Sequence, residues 1–188
     1  MNVNPTLKSS RGLPFAALTG LVVLGVFTRL IPHPANFTAI GAVALFAGSY
    51  FEKRWLAILL PLIALFVSDC ILGFHDLMLY VYGAFIVVTF LGSWTLQNDK
   101  GSSKTGAKAS DLVLTSLGAS VIFFVISNFG VWMQSGFYSR SLSGLFECYV
   151  MALPFLDRQI FGDLFFSCAL FSVAYYLQKK IPVEISKN

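Results

Sequence analysis

Charge is scarce in this 188-residue chain: Asp, Glu, Lys and Arg together make up 12% of it. A soluble domain carries roughly 25%, so there is too little charge to cover a solvated surface, and an ordinary soluble enzyme is not expected. Histidine occurs twice and cysteine three times, as Cys70, Cys148 and Cys168. The cysteines lie far apart, with no CxxC and no Cys/His ligand spacing, which argues against a disulfide scaffold or a zinc site. Neither a metal nor a cofactor is expected. The chain also lacks a GxxxxGK[ST] loop, so it cannot hydrolyse ATP by that motif. Its net charge of +4 is not gathered into one patch. The basic residues sit between apolar runs, and nucleic acid is not an expected partner.

Apolar residues are abundant instead, at 56%, with 19 Phe and 15 Gly. The mean hydropathy is +0.75. A spanning helix uses about 20 residues at about 1.5 Å each, so the length suits six spans with short loops. The apolar runs place them at 13–31, 37–51, 55–74, 77–96, 112–133 and 160–177, an all-α six-helix membrane bundle forming a single domain. The run 37–51 is short, giving only about 22 Å of helix, so it needs help from its flanks or a thinned bilayer to cross. If all six cross with the amino terminus inside, ten of the thirteen Lys and Arg residues fall on the inner side and Arg29, Arg140 and Arg158 outside. That asymmetry predicts both termini in the cytoplasm. Lys8 and Arg11 precede the first run, but no A-x-A-like cleavage site follows, so an uncleaved helix is expected rather than a signal peptide.

Two segments lie outside the spans. The Gly/Ser/Lys-rich stretch 98–110 has the composition of a flexible inner loop. Between the last two runs, Leu142, Leu145, Phe146, Tyr149, Val150 and Leu153 repeat at helical spacing. They predict an outer amphipathic helix over 142–153, stopped at Pro154 and lying along the interface or over the bundle mouth.

Ionisable and polar groups inside spans are costly and mark pathways, sites or internal braces. Arg29 falls near the outer end of the first span, Asp69 near that of the third, Tyr82 near that of the fourth, Asn128 high in the fifth and Asp163 near the outer start of the sixth. His33, Asn36 and His75 belong to outer loops. This one-sided polarity predicts a cavity open outward and closed inward by apolar packing. The bland alternative is that Arg29, Asp69 and Asp163 pair only to hold the bundle. In the Pro-rich turn 32–38, Asn36 or Thr38 is the expected N-cap of the second helix. Ala16 with Gly20, and Ala44 with Gly48, form small-xxx-small pairs suited to close helix packing.

The stretches RLIPHPANFT (29–38), SDCILGFH (68–75), SNFGVW (127–132) and FGDL (161–164) resemble, in this order and over nearly the whole chain, a family of small bacterial transport proteins. The overall plan of that family is similar to the substrate-binding S component of energy-coupling factor vitamin transporters, which includes the solitary cobalamin transporter. The resemblance implies an outward-facing vitamin pocket in a bacterial inner membrane. It also implies a partner membrane subunit with ATPases, docked through small residues of the first helix, here Ala16 and Gly20. Cys70 is the one cysteine near the expected mouth, as a cobalt-facing ligand or, more simply, a small buried thiol.

The expectation is therefore a non-enzymatic transport protein that takes up a small vitamin-like molecule, cobalamin among the options. The ligand-binding set is Arg29, His33, Asn36, Asp69, Cys70, His75, Tyr82, Asn128 and Asp163. A non-transporting membrane scaffold is the alternative. An intramembrane aspartyl protease built on Asp69 and Asp163 is a weaker one, because Ile160 stands where the first glycine of GxGD belongs.

Overall fold

The computed structural model describes residues 15–51, 53–97 and 108–180. Most of the loop 98–110 lies outside the described residues. The rest is six α-helices: α1 (Phe15–Leu30), α2 (Ile40–Tyr50), α3 (Arg54–Leu72), α4 (Met78–Thr95), α5 (Ala109–Gln134) and α6 (Leu142–Lys180). The chain alternates direction from one helix to the next. Gln97, just past α4, donates to the Phe51 carbonyl at the end of α2 (2.9 Å), which sets those two ends at the same face. Four helices, α3 to α6, are long and apolar enough to cross a membrane.

The short helix is the centre of the molecule. α2 touches all five others, and α1, α3, α4, α5 and α6 pack successively around it. Its sequence IGAVALFAGSY is apolar or small on every side, as expected of a helix buried all round, and every residue from Ile40 to Gly48 is buried. At 11 residues it is only about 16 Å long, so it is enclosed by protein rather than exposed to lipid across a full bilayer. Small residues set its closest approaches: a Cβ on Gly48 would lie 2.1 Å from the Thr89 carbonyl oxygen, and one on Gly92 2.5 Å from that of Leu45. Ala44 and Gly48 thus serve packing within the bundle.

Outside this core the usual burial pattern is inverted. Ser68, Asp69, Thr89, Ser116, Ser120, Gln159, Asp163 and Ser167 are buried, while Trp55, Ile71, Leu79, Trp94, Leu114 and Phe161 are all more than 60% exposed. Such a surface belongs in hydrocarbon, where helices associate through packing and internal polar contacts and not by hiding apolar area.

Two local expectations are corrected. No helix ends at Pro154: α6 runs unbroken for 39 residues, about 58 Å, with Pro154 inside it. Cys148, Ala152, Gln159, Asp163, Ser167 and Ala174 are buried along one continuous stripe that passes the proline, and packing along this stripe outweighs the single lost backbone hydrogen bond. The segment 142–153 is therefore the first part of the last helix and not a separate one. It is fixed to α5 by Tyr149, whose hydroxyl donates to the Val125 carbonyl at 2.7 Å. Nor do Asn36 or Thr38 cap α2. The N-cap is Ala39, whose N–H donates across to the Thr28 hydroxyl of α1 at 3.1 Å, while Asn36 takes the left-handed conformation (φ 65°) in the preceding turn.

Candidate functional site

Arg29 occupies the last turn of α1, where a cation also complements the helix dipole. α1 comes close to α3 because Gly25 has no side chain: a Cβ there would lie 3.0 Å from that of Ala64. Arg29 therefore reaches the last turns of α3. Its Nη2 lies 2.7 Å from Asp69 Oδ1. Its Nη1 donates to Ser68 Oγ at 2.5 Å and to the Leu65 carbonyl at 3.2 Å. From α4, the Tyr82 hydroxyl donates to Asp69 Oδ2 at 2.8 Å. Three helices are thus tied by one carboxylate, at the end of the bundle where α1 and α3 finish and α4 begins. Asp69 is buried, and the Arg29 side chain keeps 16% of its surface. Beyond it, towards the opposite end of the bundle, the interior is filled by Ile40, Leu45, Leu65, Phe85 and Val88.

Asp163 stands apart from this cluster. It is 1% exposed, and its Oδ2 accepts from Ser120 Oγ of α5 (2.7 Å) and from Gln159 Nε2 one turn back on α6 (2.8 Å). Its Oδ1 lies against α2, at the spot where a Cβ on Gly41 would come within 2.0 Å. The level follows from how α4 and α5 pair. Gly130 packs on Tyr80, Phe123 on Phe85, and Thr115 bonds Thr95. Ser120 is thus farther than Phe85 from the end that carries Arg29 and Asp69, and Tyr82 is nearer to it.

The nine residues expected to line one outer pocket therefore separate. Arg29, Asp69 and Tyr82 are brought together. Asp163 belongs to a second, deeper cluster. Asn128 turns back on its own helix and donates to the Phe124 carbonyl at 2.8 Å. His33 and Asn36 are half-buried in the α1–α2 turn, with His33 Nδ1 2.6 Å from the Ile31 carbonyl oxygen, and His75 is exposed in the α3–α4 turn. Cys70 is exposed and not a buried thiol; the buried cysteine is Cys148. Asp69 and Asp163 hold separate partners on separate helices, which is not the shared carboxylate pair an aspartyl protease uses. A concavity of about 540 Å³ lies on the outward side of α6, lined by Phe161, Leu164, Phe165, Cys168, Ala169 and Ser172, and includes none of the nine. Of the expected docking pair, Gly20 faces open space, and the side chain of Ala16 lies outside the described residues.

Sequence reasoning passed over Ser68, Ser120, Gln159 and Gly41. The signal was present, since Ser116 and Ser120, and Gln159, Asp163 and Ser167, recur at four-residue spacing and so share a helix face.

The fold and the inverted burial define a multi-pass α-helical membrane protein. Residues 10–184 match a family of unknown function, DUF6580, and the chain belongs to that family. No curated protein and no solved structure matches it.

Proposed function

We propose that this protein binds a small, polar, vitamin-like molecule at its outer face for uptake across a bacterial cytoplasmic membrane. Its energy would come from a separate membrane subunit carrying ATPases. The observation that supports this reading is the Arg29–Ser68–Asp69–Tyr82 cluster, charged and partly open at the outer ends of α1, α3 and α4, over an apolar inner half. Charges this deep in a membrane are expensive, and they are kept where they meet a ligand or each other. His33 and His75 lie in the two turns that follow α1 and α3, the helices that supply Arg29 and Asp69. Cobalamin is the first ligand to test, from the resemblance to the solitary cobalamin transporter.

The scaffold alternative has its own support, because the cluster is satisfied internally and works as a brace without any ligand. Mass spectrometry of small molecules released from the detergent-purified protein separates the two. A defined molecule in the wild type, weakened at least tenfold in Asp69→Asn (about 1.4 kcal/mol), supports uptake. A folded wild type that releases nothing and binds no added cobalamin leaves the scaffold reading.

A further inference from the structure

The Asp163 cluster has no role in that ligand site, and its hydrogen bonding is lopsided. A buried carboxylate needs a cation or several donors, because its charge is otherwise uncompensated in a low-dielectric interior. Asp163 receives both of its donors, Ser120 and Gln159, on Oδ2, and Oδ1 has no hydrogen-bond partner. No cation is in reach among the described residues. The facing helix α2 carries one titratable residue, Tyr50, which stacks on Phe46 near its far end. α5 carries one, Asp111, in its first turn. On α6 itself the neighbouring Asp157, Arg158 and Cys168 are exposed, away from the buried stripe, and the one nearby arginine of a span, Arg29, is engaged by α3.

A neutral carboxylic acid fits this arrangement better than an anion, because a buried hydroxyl without an acceptor costs far less than a buried charge without a cation. Its carbonyl oxygen has two lone pairs, which match the two donors on Oδ2. Its hydroxyl is then Oδ1, the oxygen that receives no donor. We propose that Asp163 is an intramembrane proton-binding site, protonated on Oδ1 while α6 is packed against Gly41 of α2. Ionisation in place would leave a bare charge against the Gly41 backbone. The proton can therefore leave for water only when the α2–α6 contact opens, and its binding favours the closed packing. Ser116 and Ser167 extend the path inward. Both are buried with unpartnered hydroxyls, and they lie one turn from Ser120 and Asp163 on the same antiparallel pair of helices. This site stands whether or not a vitamin is carried.

Infrared spectroscopy of the full chain in dodecyl maltoside, a detergent without carbonyl groups, tests the proposal. At about pH 7, surface carboxyls with ordinary values near 4 are ionised, so a protonated acid shows a C=O stretch against a nearly empty background. The wild type should show that band, Asp163→Asn should lose it, and Ser120→Ala, which removes one donor to the carbonyl oxygen, should move it to higher frequency. The Ser120→Ala shift assigns the band even if Asp163→Asn does not fold. Absence of an acid band in the wild type at this pH, or a band indifferent to both substitutions, overturns the proposal. Disappearance of the band on adding sodium or potassium at constant pH also overturns it, in favour of a metal-cation site.

Discussion

At the scale of single residues, the strongest constraint is the pairing of Arg29 with Asp69 under the Tyr82 hydroxyl. Removing one partner of a buried pair leaves the other charge stranded, at a cost of about 3–5 kcal/mol. Arg29→Ala alone should therefore lower the detergent melting temperature sharply, while Arg29→Met combined with Asp69→Leu should recover much of the loss. Equal destabilisation by the single and the double change would show that the two residues are not coupled. Tyr82→Phe removes one donor to Asp69 and should cost only about 1–3 kcal/mol. The same pair was legible in the sequence as two costly residues of opposite charge near the outer ends of their spans. Their partner Ser68 was not, because serine is common in helices and only the α1–α3 crossing aims Arg29 at it.

At the scale of the helix, α2 and α4 are held at backbone contact by Gly48 and Gly92. Both would-be Cβ positions meet backbone atoms, which cannot rotate away. Gly48→Ala and Gly92→Ala should each destabilise by about 1–3 kcal/mol, read as earlier thermal unfolding in detergent. Gly20→Ala, with open space at its Cβ, should be neutral or slightly stabilising through helix propensity. If all three behave alike, the close crossing is not what holds the core. Pro154 gives the opposite lesson about α6. Because the helix already continues through it, Pro154→Ala should leave the fold intact and restore one backbone hydrogen bond, with melting unchanged or raised. Loss of folding would mean that a bend at this proline is required by the packing.

At the scale of the whole molecule, we predict from the bias of basic residues one orientation, with both termini cytoplasmic. Single cysteines in a cysteine-free background check it. In intact cells an impermeant thiol reagent should label position 140, between α5 and α6, and should leave position 108, ahead of α5, unmodified. The reverse pattern would invert the molecule.

The sequence by itself determined the class of protein and its six apolar segments, because scarce charge and apolar runs are local properties that no tertiary arrangement can alter. It also marked Arg29, Asp69 and Asp163 as residues that need a partner, since the cost of burying charge is carried by the residue itself. Only the tertiary structure decided which partners they take. Arg29 and Asp69 lie on neighbouring helices of the ring and meet, whereas Asp163 faces α2 and α5 at a deeper level, a separation fixed by helix order around the centre. The structure also decided that the weakest apolar run is the core of the bundle and that Pro154 does not end a helix. Both depend on what surrounds a segment: a short helix is stable when it is enclosed on all sides, and a proline is tolerated when packing on either side of it continues along one face.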